Sequence, residues 1–149
     1  MTKDLLFEPV RVEDAGELFE IIEEAHRSSA FPIGPHWTRE QVGEECEKGG
    51  FVLRDASNRI LAFVLFRDVG EAWEISFLAT RGDAKRRGFM SELLSKVIAN
   101  RPPGKALWLE VHEANQAARK LYEKLGFQET AKRRNYYSDG GTAILYNYG

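Results

Sequence analysis

The chain has 149 residues, the span of one domain on the usual scale of ~100–200 residues, and its 43% hydrophobic and 30% charged residues are ordinary for a soluble globular protein. Its 21 basic and 23 acidic residues leave a net charge of −2, which argues against a general nucleic-acid binder. No apolar run approaches the ~20 residues of a membrane span, and the N-terminus lacks signal-peptide anatomy, so a cytoplasmic protein with no membrane partner is expected.

The lone cysteine, Cys46, excludes an internal disulfide and a multi-thiolate metal site. Glu44, Glu45 and Glu47 surround it and disfavour its thiolate, so it is a poor nucleophile. His26, His36 and His112 show no ligand spacing, and no metal is expected.

In chain order, Leu5 to Arg11 reads as a first strand. Ala15, Leu18, Phe19, Ile22 and Ala25 follow with the spacing of an amphipathic helix, whose outer face carries Glu13, Asp14, Glu17, Glu20, Glu23 and Glu24. Ser28 to His36, with Pro32, Gly34 and Pro35, is a loop. Thr38 to Gln41 forms a capping box that starts a second helix, and Gly49-Gly50 ends it. Phe51 to Arg54, Ile60 to Asp68 and Glu71 to Thr80 read as three successive antiparallel strands.

Met90, Leu93, Leu94, Val97 and Ile98 mark a third helix, stopped by Pro102-Pro103-Gly104. Ala106 to Val111 alternates as a strand, with Trp108 and Glu110 on the face opposite Leu107, Leu109 and Val111. Asn115 caps a fourth helix that runs to Leu125 and closes at Gly126. Phe127 to Asn135 and Thr142 to Tyr146 make the last strand pair. The order β α α β β β α β α β β predicts an α/β domain over residues 1–149, with a mixed, mostly antiparallel sheet of about seven strands and four helices.

The segment Leu78 to Leu94 runs from a strand through a short basic loop into an apolar-faced helix. Unpaired N–H groups and the helix dipole make such a helix start an anion site suited to phosphate. Lys85, Arg86 and Arg87 add charge there, and Gly88 removes a Cβ from the approach. Neither a Walker loop nor a G-x-G-x-x-G loop is present. On its own, the segment also reads as a solvated basic turn.

Two motifs carry a family resemblance. Lys85-Arg-Arg-Gly88-Phe-Met90 resembles the (Gln/Arg)-x-x-Gly-x-(Gly/Ala) phosphate loop of the GNAT acyl-CoA N-acetyltransferases, and Asn115 to Phe127 meets their Asn-x-x-Ala-x-x-Leu-Tyr-x-x-x-Gly-Phe signature at every fixed position. Leu109-Glu-Val111, Arg134-Asn-Tyr-Tyr137, and Ala30-Phe-Pro with Trp37-Thr are similar to the RimI type, which acetylates the N-terminal alanine of a ribosomal protein. Three departures stand out: Lys85 at the loop's start, Met90 in place of Gly or Ala, and the extra Ile33-Gly-Pro-His36 before Trp37.

The resemblance implies a GNAT fold whose sheet splays between the strands ending at Thr80 and Val111, with acetyl-CoA as co-substrate in the cleft. It implies that Leu78, Ala79 and Thr80 pair with the pantetheine arm, that Arg86, Arg87, Gly88, Phe89, Met90 and Ser91 wrap the diphosphate, and that Asn115 contacts the CoA arm. It also implies Glu110 as general base and Tyr122 as general acid, with Trp37, Arg134, Tyr136 and Tyr137 on the acceptor side. The expected acceptor is a peptide or protein N-terminus. Within the enzyme class, a small amine, an antibiotic or a lysine is the alternative; outside it, a catalytically silent acyl-CoA sensor.

Overall fold

The computed structural model describes residues 4–149. Its strands are β1 (Leu6–Pro9), β2 (Gly50–Arg54), β3 (Ile60–Asp68), β4 (Ala72–Thr80), β5 (Ala106–His112), β6 (Gln128–Arg133) and β7 (Ala143–Tyr148). Its helices are α1 (Ala15–Ser28), α2 (Arg39–Lys48), α3 (Phe89–Asn100) and α4 (Gln116–Leu125). The strands form one seven-stranded sheet in the order β1-β2-β3-β4-β5-β7-β6, in which only β4 and β5 run parallel.

The sheet is covered on both faces, which explains why β3 is apolar without interruption from Ile60 to Phe66. From Ala62 on, past an irregularity at Leu61, its successive side chains point to opposite sides. Ile60, Phe63 and Leu65 join a core with Leu18, Ile21, Ile22, Val42 and Cys46 of α1 and α2. Leu61, Ala62, Val64 and Phe66 join a second core with Leu93, Leu94 and Val97 of α3 and Tyr122 of α4.

The first strand is shorter than the expected Leu5 to Arg11. It ends at Pro9, which has no N–H to donate, and Val12–Asp14 then turns as a 3-10 helix in which Asp14 accepts the Arg11 N–H at 2.9 Å. Asp14 also meets Arg54, a guanidinium only 2% exposed, at 2.5 Å, while Glu8 accepts from the same group at 3.0 Å. This cluster fastens β1 and the turn before α1 to β2.

The capping box at Thr38 and Gln41 is present in full, and Asn115 caps α4 by accepting the Ala118 N–H at 3.2 Å. The last strands are shifted from the expected bounds. β6 stops at Arg133 because Asn135 takes a left-handed φ of 52°, and β7 continues to Tyr148 along β5.

The acidic face of α1 is not simply solvated. Glu17 accepts from the Ile60 N–H and from Arg81, Glu24 accepts from the Gly82 N–H, and Glu20 pairs with Arg39. Glu17 and Glu24 thus hold the start of β3 and the turn after β4, and Glu20 ties α1 to α2.

Candidate active site

The site is built on a local fault in the sheet. β4 and β5 pair only at Ala72 with Ala106, Trp73 with Leu107 and Glu74 with Trp108. Immediately afterwards β4 carries an extra residue, because Leu65 faces Phe77 while Phe66 faces Ile75. Ser76 is that residue, and its hydroxyl donates to the Leu65 carbonyl at 3.3 Å. A bulge bends its strand, and here it bends β4 away from β5, which stays in register with β7 through His112. The expected splay between Thr80 and Val111 is therefore present, and its cause is Ser76.

A cleft of about 1710 Å³ opens at the divergence. It brings together Leu78, Ala79 and Thr80 of β4, Glu110 of β5, Asn115, Tyr122 of α4, and Trp37, Tyr136 and Tyr137 at the mouth. Arg134 does not line it. Arg133 does, one position earlier in the chain, standing 3.8 Å from Glu110 Oε2 and 5.6 Å over the Tyr136 ring. Arg133 is the last residue of β6 and pairs with Ala143 of β7, whereas Arg134 lies in the turn beyond the strand, a boundary the motif does not mark.

Glu110 is about one-third exposed, and Tyr136 donates its hydroxyl to Oε1 at 2.9 Å. That bond to the carboxylate, followed by burial, raises the Tyr136 phenol above its ordinary range. Tyr122 is 4% exposed and lines the cleft, yet its hydroxyl has no hydrogen-bond partner among the described residues. Burial above all, with the Tyr137 and Tyr146 phenols adding to it, pushes the Tyr122 phenol up, so it keeps its proton through neutral pH. Asn115 has committed its side-chain oxygen to the α4 cap, which leaves its NH₂ group to donate.

Past the end of β4, the α3 start has the anatomy of an anion site. The first helical bond runs from the Glu92 N–H to the Gly88 carbonyl at 3.0 Å, so the amides of Phe89, Met90 and Ser91 precede the ladder. Gly88 has a φ of 82° and Arg86 a φ of 64°. A Cβ at Gly88 would meet nothing within 4 Å, so the backbone there is open to approach from outside. Arg87 lies over the Phe89 ring at 5.1 Å. Lys85 lines the cleft, whereas Arg86 to Ser91 do not. Such a run of amides and cations fits a diphosphate, and the cleft leading to it from Glu110 fits an extended acyl-thioester arm.

Residues 16–127 match the sequence model of the acetyltransferase (GNAT) family. The chain belongs to the GNAT family. It is 35% identical over 114 residues to the [ribosomal protein bS18]-alanine N-acetyltransferase of Salmonella typhimurium, covering 74% of each chain. The crystal structure of the ribosomal-protein-S18-alanine N-acetyltransferase from Escherichia coli superposes with a TM-score of 0.81 at 29% identity, over 96% of this chain and 92% of the other. A Salmonella typhimurium acetyltransferase solved with acetyl-CoA shares the fold, with a TM-score of 0.82 at 16% identity over 97% and 92% of the chains. This GNAT protein is thus an acetyl-CoA-dependent N-acetyltransferase of RimI type. Among its described residues no helix is long and apolar enough to cross a membrane.

Proposed function

We propose that this enzyme moves acetyl from acetyl-CoA directly to the α-amine of a protein N-terminus, with a small first residue such as alanine, on a ribosomal or other translation protein. The observation that carries the acceptor class is the 35% identity, over three-quarters of both chains, to an enzyme named for that acceptor. The geometry supports it: a carboxylate and a protonated phenol line one cleft whose mouth is rimmed by Trp37, Tyr136 and Tyr137.

When bound, acetyl-CoA supplies an acyl thioester whose carbonyl carbon takes the amine. Leu78, Ala79 and Thr80 orient the arm through backbone groups along the unpaired edge of β4, and the Asn115 NH₂ donates to it. The start of α3, from Arg86 to Ser91, binds the diphosphate. Glu110 takes the proton from the attacking amine, directly or through one water, and Tyr122 donates its hydroxyl proton to the departing sulfur. An α-amine with a pKa of ~7.7–8.0 is roughly a fifth to a third neutral near pH 7.4, so a carboxylate base suffices, whereas a lysine at ~10.4 needs far more assistance. Cys46, buried with its thiol pushed up to about 11, is no acyl carrier.

The test compares an alanine-initiated peptide with its N-terminally blocked form and with an internal-lysine peptide. Acetylation of the free N-terminus alone is expected. Comparable kcat/KM on the blocked or lysine peptide overturns the assignment, and a preference for a small polyamine moves the enzyme out of this class.

A further inference from the structure

We propose that His112 and Asp139 act together as positioning residues, fixing the separation of the two walls at the cleft mouth and so the fit of the acceptor. The inference deepens the acceptor reading above and rests on it for the identity of the mouth.

His112 is the last residue of β5 and is 5% exposed. Its Nδ1 accepts the Ala114 N–H at 3.0 Å, which places the ring proton on Nε2. Nε2 donates to Asp139 Oδ2 at 2.9 Å. Both ring nitrogens are committed, so His112 is not a second base. Asp139 sits at the tip of the β6–β7 hairpin and also accepts the Gly141 N–H at 2.8 Å. The tip is closed on itself: the Tyr136 and Tyr137 N–H groups both reach the Gly141 carbonyl at 3.1 Å. It is then pinned to β5 through the single imidazole. Gly141 permits the approach, since a Cβ there would lie 2.2 Å from His112 Nε2.

The same imidazole packs against two aromatic rings, stacked with one and tilted against the other. Tyr137 packs on it at 4.8 Å between centroids, and Phe31 at 5.1 Å. Phe31 belongs to the connection between α1 and α2, and both rings line the cleft. One hydrogen-bonded side chain thus registers the hairpin wall against the opposite wall. Losing the pin releases Tyr136 and Tyr137 together and slackens Phe31. Among the described residues Asp139 bonds only to His112 and the Gly141 N–H, not to β4, Asn115 or the start of α3.

The experiment measures KM separately for the acceptor and for acetyl-CoA, with hydrogen exchange on the free protein. In Asp139→Ala the acceptor KM should rise about tenfold, the equivalent of ~1.4 kcal/mol, with the acetyl-CoA KM within about twofold of wild type. Asp139→Asn keeps an accepting oxygen and should recover most of the loss. His112→Phe removes this bond and also the acceptor of the Ala114 N–H, so it should raise the acceptor KM at least as much as Asp139→Ala, and the double variant should be no worse than His112→Phe alone.

Exchange in Asp139→Ala should quicken in both 136–141 and 29–37. A rise confined to 136–141, additive single effects, or a lowered melting temperature with unmoved acceptor KM would each overturn the proposal. If the wild type prefers a small amine to every peptide, the acceptor reading falls. The exchange measurement needs no acceptor and decides the registering role by itself.

Discussion

Tyr136, from the hairpin tip, donates its hydroxyl to Glu110 Oε1 at 2.9 Å, so a residue 26 positions away fixes the orientation of a carboxylate that lines the cleft. The two changes at this pair separate chemistry from orientation. Glu110→Gln removes the proton acceptor while keeping shape, and kcat should fall within the ~10²–10⁴-fold range of general acid–base catalysis. Tyr136→Phe removes only the orienting bond and should cost less, about tenfold. Steady-state kinetics at saturating acetyl-CoA measures both; a drop below about threefold for Glu110→Gln would assign the base elsewhere.

Tyr122→Phe should lower kcat within a similar range and leave the melting temperature unreduced, because the hydroxyl opens on the cleft and has no hydrogen bond to another described residue to lose. Its pH behaviour has a definite sign. Burial raises the phenol, so the protonated, donating form persists above the ordinary range of ~10. The alkaline limb of kcat should therefore show no loss from this group up to pH ~10. A limb below pH ~9 that disappears in the variant would contradict the role.

At Gly88, two substitutions distinguish strain from electrostatics. With a φ of 82° and open space around it, Gly88→Ala should destabilise the protein by about 1 kcal/mol through left-handed strain, with a small effect on acetyl-CoA affinity. Gly88→Asp adds a negative charge facing phosphate, and calorimetry should show affinity weakened tenfold or more, at ~1.4 kcal/mol per tenfold. Equal affinities for the two variants would make this loop structural.

Cys46 should resist alkylation in the folded enzyme. It is 4% exposed, and burial first, then the Asp14, Glu45 and Glu47 carboxylates, push its thiol up to about 11. At pH 8 roughly a thousandth is thiolate, so iodoacetamide should label it rapidly only after unfolding, and labelling should leave no trace of acyl transfer through sulfur.

The periodic elements were legible because each is decided locally. The Thr38 and Asn115 caps, the 3.6-residue apolar faces of α1 and α3, and the alternation of β5 appear as the residues announce them. Glu110 and Tyr122 were found through flanking motifs and do share a cleft. The features that escaped depend on partners distant in the chain. Nothing around Ser76 marks it as the extra residue of a bulge, since a bulge exists only against the register of β3. The α1 carboxylates read as a solvated face because Arg81 and the Gly82 N–H arrive from the far end of β4. Arg133 rather than Arg134 lines the cleft for the same reason: pairing with β7 reaches Arg133 and ends there.

The Glu8–Arg54–Asp14 cluster constrains how this sequence is free to drift. Losing Arg54 leaves Asp14 buried without its counter-ion, at a cost of about 3–5 kcal/mol, a large share of the ~5–15 kcal/mol that holds a domain folded. Exchanging all three for well-packed apolar residues is close to neutral. Single steps out of the present arrangement are thus steep while the combined step is shallow. Among descendants of this gene, positions 8, 14 and 54 should turn over as a linked set, through rare intermediates carried by stabilising changes elsewhere.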